Sequence, residues 1–151
     1  MNKALGYIGI AKKAGALSVG ETNAGAVVRA GKGRVLLLAS DASPNARRRA
    51  EGFVAGTQTP LVTVPFTKAE LSDATGLAGC SMAAFTDVGL AAVFMAALAE
   101  NEPSYADTAQ LLQTKNEKAL LRKREAAAHQ RKLSAGRSVG KTAQGKRRKK
   151  Q

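Results

Sequence analysis

The stretch RVLLLAS, residues 34–40, decides the fold class of this chain. Its apolar residues are consecutive, with Gly33 before them and Asp41 after them. A strand with one face in water alternates apolar and polar side chains, whereas an unbroken apolar run is typical of a strand that is covered on both faces. The sequence therefore predicts a central strand here, with other elements packed on each side of it.

Outward from this run, short apolar segments alternate with helical patterns through the first hundred residues. Ser43 and Pro44 form a helix start, the TKAE segment matches a capping box, and Gly76 is a typical helix stop. This alternation predicts an α/β sandwich with helices on both faces of a small sheet. The predicted strands are residues 17–19, 34–40, 60–64 and 82–85, and the predicted helices are residues 1–14, 21–30, 44–55, 68–75 and 88–99.

The net charge of +13 is concentrated at the end of the chain. Residues 1–114 hold 10 Lys and Arg against 9 Asp and Glu, whereas residues 115–151 hold 14 against 2. A cationic arm of this kind usually binds a polyanion such as RNA, DNA or an anionic membrane face. The alternative is a solvated, charged helix with no partner.

Composition also divides the chain. Pro103 and Ser104 mark a boundary, after which helix-forming Ala, Leu, Gln, Glu, Lys and Arg dominate. From Ser134 onward Gly, Ser, Lys and Arg leave little to bury. We therefore expect a globular domain over residues 1–102, a basic helical extension over 103–133 and a disordered basic tail over 134–151.

The sequence contains no set of residues typical of catalysis or metal binding. His129 lies in the basic arm with no Asp or Cys at catalytic spacing, and Cys80 has no histidine in the globular body to activate it. We interpret Cys80 as a small buried thiol. The AGKG segment, residues 30–33, precedes a strand and lacks the spacing of a phosphate loop. We expect no enzymatic activity, no cofactor and no metal.

The N-terminal residues lack a signal-peptide pattern, and no apolar run is long enough to span a bilayer. A single cysteine fits a reducing compartment. We therefore expect a cytoplasmic protein with no membrane partner.

The second predicted helix begins at a glycine, Gly20, which has no side chain to cap it. The N–H groups of Glu21, Thr22 and Asn23 are then free to bind phosphates or base edges. At about 100° per residue, Thr22 and Arg29 lie on the exposed side of this helix, with Asn23 on its flank. Hydroxyl, amide and guanidinium groups suit RNA. The alternative is an ordinary helix start with Arg29 solvated.

Four segments then carry a family resemblance: AKKAGALSVGE, AGKGRVLLLASDASPN, TKAELSDATGL and AAFTDVGLA, beginning at residues 11, 30, 67 and 83. In this order they resemble the ribosomal-protein family of kink-turn RNA binders, typified by archaeal large-subunit protein L-seven-Ae and its relative L-thirty-e. Small bacterial members of that family are the most similar. The resemblance covers about residues 5–99 and implies a three-layer α/β/α sandwich around a mixed four-stranded sheet.

The resemblance also implies an RNA site that joins two segments. One is the helix end in a G-x-N-E-x-x-K motif, whose glycine is matched by Gly20. Thr22 takes the Asn position of that motif, Asn23 the Glu position and Ala26 the Lys position. Because Ala26 supplies no cation, we expect Arg29, one turn along the helix, to replace it in part. The second segment is the loop of Leu77, Ala78, Gly79, Cys80 and Ser81.

Together these observations predict a non-enzymatic RNA-binding protein for structured, kink-turn-like RNA such as ribosomal RNA, with the ribosome as a candidate partner. The body would recognise shape and the tail would add phosphate contacts. The alternative is a general nucleic-acid-binding protein whose body is a scaffold or protein-contact module. The predicted RNA-binding residues are Lys12, Lys13, Gly20, Glu21, Thr22, Asn23, Arg29, Lys32, Leu77, Ala78 and Gly79.

Overall fold

The computed structural model describes residues 3–78 and 80–143, with side chains described through residue 135. Within these ranges the predicted alternation of strands and helices is confirmed. The strands are β1 (Leu17–Val19), β2 (Val35–Leu38), β3 (Leu61–Thr63) and β4 (Met82–Phe85). The helices are α1 (Lys3–Lys13), α2 (Glu21–Arg29), α3 (Pro44–Val54), α4 (Lys68–Thr75), α5 (Val88–Asn101) and α6 (Ala106–Ala143), with a single 3-10 turn at Pro103–Tyr105.

The four strands form one mixed sheet in the order β1-β4-β2-β3. β4 runs antiparallel to both of its neighbours, and β2 runs parallel to β3. Leu36 of β2 lies opposite Ala84 on one side and Leu61 on the other. The apolar run that predicts a central strand therefore occupies an interior position, and all four of its strand residues are fully buried.

Helices cover both faces of this sheet, so the predicted three-layer α/β/α sandwich is confirmed. Val35 and Leu37 of β2 point into a core shared with α1, α4 and α5, whereas Leu36 and Leu38 point into a second core shared with α2 and α3. This alternation follows from the two-residue repeat of a strand. The buried helix residues are, on the first face, Ile8, Leu71 and Phe94, and, on the second, Ala24, Val28 and Ala50.

Side-chain caps fix the starts of three helices, and the sequence predicts those of α3 and α4. The hydroxyl of Ser43 accepts from the backbone N–H of Ala46 at 3.1 Å at the start of α3. Thr67 and Glu70 form both bonds of a capping box at the start of α4. Asp87 caps α5. Each cap satisfies a first-turn backbone N–H that has no partner within the helix.

The compact body extends further along the chain than the composition predicts, because the first turns of α6 belong to it. It runs to Lys115. Leu112 is fully buried in the first core, and the hydroxyl of Tyr105 donates to the carbonyl oxygen of Thr63 at 2.8 Å. Pro103 does start a new element, but that element packs against the domain.

The second compact unit covers residues 116–151. In it α6 continues to Ala143, past residue 133, where the sequence predicts the helix to end and the disordered tail to begin. Adding a residue to an existing helix costs little compared with nucleating one, so weak helix formers such as Ser134 are accommodated between Lys, Arg and Ala. Residues 144–151 of the predicted tail lie outside the described residues.

Helices α2 and α3 approach each other closely at Gly25. A Cβ atom built at this position would lie 2.6 Å from Cζ of Phe53, with two more ring atoms within 2.9 Å. Gly25 is buried, and Phe53 packs against the second core. The small size of Gly25 therefore sets the spacing of these two helices.

We expect Gly25→Ala to lower the free energy of unfolding by about 1–3 kcal/mol, because the added methyl group overlaps the Phe53 ring. The matched control is Gly52→Ala on α3, where a Cβ meets nothing within 4 Å. In that open helical position alanine is expected to stabilise by about 0.5–1 kcal/mol. Urea unfolding of both variants measures the difference, and equal stabilities would contradict the packing argument.

Candidate nucleic-acid interface

The N-terminus of α2 differs from the capped helices because its N-cap is a glycine. Gly20 has φ 95° and ψ 155°, a backbone conformation that favours glycine, and it makes no side-chain cap. Its own N–H donates to the carbonyl oxygen of Met82 at 3.0 Å, and its carbonyl accepts from Ala24 at 2.9 Å. In the described part of the chain, the N–H groups of residues 21–23 have no protein acceptor. The positive end of the helix dipole is thus open to a ligand.

A cleft of about 370 Å³ lies beside this helix end. We call it the Asn23 cleft; its walls come from α1, β1, α2 and the loop after α4. The helix end and the loop that the resemblance implies therefore meet at one place. Its lining includes Lys12, Ser18, Val19, Asn23, Ala26 and Leu77.

Asn23 and Thr22, two predicted site residues at the helix end, each have a polar group without a partner among the described residues. The side-chain N–H of Asn23 donates to the carbonyl oxygen of Val19 at 3.1 Å, which fixes the amide and leaves Oδ1 without a partner among the described residues. Thr22 is exposed, and its hydroxyl makes no bond there either. Glu21 differs, because its carboxylate oxygens lie 2.7 and 2.8 Å from Nη1 of Arg49 on α3. That ion pair neutralises the charge of Glu21 beside the helix end.

The cation at the Asn23 cleft is Lys12, a half-buried residue of α1. Arg29 is not among the residues that line this cleft. Its guanidinium carbon lies 4.7 Å from the centre of the Phe53 ring, in a cation–π contact. A helical wheel gives only the direction in which a side chain leaves the helix, and a long arginine bends toward a neighbouring aromatic ring.

The loop after α4 presents small and apolar side chains to solvent. Leu77 is 45% exposed, and Ala78 is exposed beside it. The N–H of Leu77 donates to the hydroxyl of Thr75 at 3.3 Å, which ties the loop to the end of α4. The predicted site residue Gly79 lies outside the described residues.

Cys80 is a buried thiol, as predicted, at 1% exposure. Burial raises its pKa, and hydrogen bonds involving the backbone of Gly20 and the hydroxyl of Thr75 act in the opposite direction. The thiol donates to the carbonyl oxygen of Met82 at 3.7 Å, the same carbonyl that accepts from the N–H of Gly20. Its position links the loop after α4 to the helix end.

The remaining predicted cations lie outside the Asn23 cleft. Lys13 is exposed at the end of α1, and Lys32 is exposed after α2. Neither is among the lining residues of the Asn23 cleft.

A second cleft of about 380 Å³ lies at the opposite end of α2. We call it the Arg34 cleft. Arg34 and Lys115 are not among the predicted site residues, because they are far apart in the chain and match no motif. In the sequence, the signal that could have indicated this cleft was a set of glycine turns followed by cations. Its lining includes Arg29, Gly31, Arg34, Gln58, Thr59 and Lys115.

The second compact unit has its own charge pattern. All six Lys and Arg residues between positions 116 and 135 are exposed, against two Glu residues. His129 is exposed among them. Such a helix presents positive charge to solvent along its length. The cations are Lys118, Arg122, Lys123, Arg124, Arg131 and Lys132.

The described residues offer neither a metal cluster nor a membrane-spanning helix. They contain no group of three or more His, Cys, Asp or Glu side chains placed to hold a metal ion. None of their helices combines the length and the apolar character needed to cross a membrane.

Comparison with known proteins shows the fold. No protein-family model matches the chain, and no curated protein matches it either. A solved structure of a Bacillus halodurans protein with unknown function is similar at a TM-score of 0.60 and 23% identity, covering 65% of this chain and 98% of that one. The Giardia lamblia 15.5kD RNA binding protein is similar at a TM-score of 0.53 and 20% identity, covering 66% of this chain and 84% of that one.

Proposed function

We propose that this chain is a non-enzymatic RNA-binding protein of the kink-turn type, and that structured RNA binds at the Asn23 cleft. The observation that carries the proposal is the meeting of an uncapped helix N-terminus with an exposed apolar loop in one cleft. The resemblance of the sequence to the kink-turn family implies the same pairing. The fold likeness to an RNA-binding protein of Giardia lamblia supports it.

The chemistry of the cleft suits RNA rather than a small metabolite. Free N–H groups at the start of α2 can donate to a phosphate or to base-edge acceptors. Oδ1 of Asn23 can accept from a base amino group, and the hydroxyl of Thr22 can do either. The exposed side chain of Leu77 offers an apolar surface for the face of an unstacked base. These groups read a splayed nucleotide and its backbone together.

Lys12 fills a role that the family motif gives to another position. Ala26 stands at the motif lysine, and both residues line the Asn23 cleft. A cation delivered from α1 would neutralise the same phosphate that a lysine on α2 would neutralise. We assign that role to Lys12, because Arg29 is held on Phe53.

The second compact unit adds affinity that does not depend on sequence. Exposed lysines and arginines release counterions when they neutralise phosphates, so their contribution falls as salt rises. The proposed target is ribosomal or other structured RNA in the cytoplasm.

A second candidate function is general nucleic-acid binding, with the body as a scaffold or protein-contact module. It is favoured by the charge of residues 115–151, which contain 14 Lys and Arg residues and only 2 Glu residues. Preference for bent RNA separates the two functions, because phosphate contacts alone bind duplexes equally well.

We expect the full chain to bind a kink-turn RNA with sheared G·A pairs more tightly than a duplex RNA or DNA of equal length. Thr22→Ala with Asn23→Ala should weaken kink-turn binding about tenfold or more, since two hydrogen bonds are lost. Duplex binding should stay within about twofold of the parent chain. Fluorescence anisotropy at moderate salt measures both. Indifference to RNA shape in the parent chain would favour the second candidate.

The role of Lys12 can be tested against its neighbour on the same helix. Lys12→Gln should weaken kink-turn binding about fivefold, because one charged phosphate contact is worth about 1 kcal/mol. Lys13→Gln removes the same charge from a residue that does not line the cleft, so its loss should be smaller. Anisotropy titrations of both variants measure the two losses in RNA affinity. Equal losses would argue against a specific role for Lys12.

The role of the second unit can be tested without shortening the chain. Replacing Arg122, Lys123 and Arg124 with Gln should lower the slope of log affinity against log salt by about 2–3, at similar helix propensity. The control replaces three exposed cations of the body, Lys3, Arg47 and Lys68. A salt slope that stays unchanged in the α6 variant would show that α6 does not contact the RNA backbone.

A further inference from the structure

The Arg34 cleft combines three cations with no lining carboxylate. Arg34 precedes β2, Arg29 ends α2, and Lys115 belongs to α6 within the first compact unit. In the part of the chain that the structure describes, none of these three side chains forms an ion pair with Asp or Glu. Their charge is therefore available to an anion.

One of these side chains and the backbone on two sides of the cleft are held by contacts that involve no carboxylate. Arg29 lies on the ring of Phe53, and the N–H of Arg34 donates to the carbonyl oxygen of Phe85 at 2.7 Å. The opposite wall is fixed as well, since the hydroxyl of Thr59 donates to the carbonyl oxygen of Gly33 at 3.0 Å. The guanidinium of Arg29, already held against the ring, therefore loses less freedom on binding an anion than a mobile side chain would.

The loop after α3 brings backbone donors to the same cleft. Gly56 and Gln58 both line it, and within the described chain their N–H groups donate to no protein acceptor. Gly56 has a φ of +75° and no Cβ, so a ligand can approach its backbone closely. Backbone N–H groups beside arginines are a common arrangement for binding phosphate oxygens.

The cleft lies at the C-terminal end of α2, where the helix dipole disfavours an anion. Backbone donors offset part of this effect. The carbonyl oxygen of Val27 accepts from Lys32 at 2.9 Å and from Gly33 at 3.1 Å, and that of Val28 accepts from Gly31 at 3.1 Å. The last carbonyls of α2 therefore point at N–H groups of the following turn.

We propose that the Arg34 cleft binds a phosphate group, held by Arg29, Arg34, Lys115 and the N–H groups of Gly56 and Gln58. The source of the phosphate is either the backbone of a bound nucleic acid or a small phosphate compound. The cleft is separate from the Asn23 cleft. α2 has nine residues and a length of about 13 Å, so a group bound at one end does not fill the other.

The test uses the full chain and the double variant Arg34→Gln with Lys115→Gln. The control is Lys3→Gln with Lys68→Gln, which removes the same charge from exposed residues outside both clefts. In one arm, ¹⁵N-labelled protein is titrated with pyrophosphate and the amide shifts of Gly56 and Gln58 are followed. In the other arm, affinity for a hairpin RNA is measured against salt by anisotropy.

Loss of the pyrophosphate shifts, together with RNA binding about fivefold or more weaker and a salt slope lower by about 1–2, assigns the cleft to a nucleic-acid phosphate. Loss of RNA affinity beyond the control, without pyrophosphate shifts, assigns it to the polymer backbone alone. Loss of the pyrophosphate shifts at unchanged RNA affinity assigns it to a small phosphate compound.

The proposal is overturned when pyrophosphate shifts are absent, or equal in parent and double variant, and RNA affinity falls no further than in the control. Only the RNA arm rests on the proposed function. A failure of the Thr22 and Asn23 variants to discriminate RNA shape therefore leaves the pyrophosphate arm intact, and the two failures can be told apart.

Discussion

The burial of β2 on both faces is the constraint on which the rest of the structure depends. Its four strand residues are fully buried, so each face of the sheet needs its own covering of helices. α1, α4 and α5 provide one layer, and α2 and α3 provide the other. Because α2 packs along the sheet, its N-terminus lies beside the end of β1 and the start of β4, and its C-terminus lies beside the start of β2. Both clefts therefore lie at the two ends of a helix, α2, that is needed to cover one face of β2.

Most of the fold could be predicted because its signals are local. An unbroken apolar run, the cap residues Ser43 and Thr67, and Gly76 at a helix stop each act within a few residues of chain. The order of the strands was not derivable from those signals. The family resemblance implies a mixed four-stranded sheet but no strand order, and the pairing between β1 and β4 joins residues that are far apart in sequence.

The candidate site was predicted less completely, because long side chains depend on neighbours from other elements. The helix end at Gly20 and the loop at Leu77 could be placed from the sequence. The side-chain positions of the cations could not be predicted from the sequence. Arg29 lies on Phe53 from α3, and Lys12 enters the Asn23 cleft from α1, and neither contact leaves a trace in local spacing. The sequence motif indicates where backbone N–H groups lack a cap, whereas the packing of the helices determines which cationic side chain lies beside them.

The bond from the N–H of Gly20 to the carbonyl oxygen of Met82 has a consequence for how any ligand enters the Asn23 cleft. β4 begins where the loop after α4 ends, and Ala83 at its start pairs with Val19, next to Gly20. The two walls are therefore joined through one sheet and cannot separate without breaking it. The spacing of these two walls is therefore set by strand pairing rather than by side-chain packing, so any adjustment to a ligand at this place falls to the side chains or to the ligand itself.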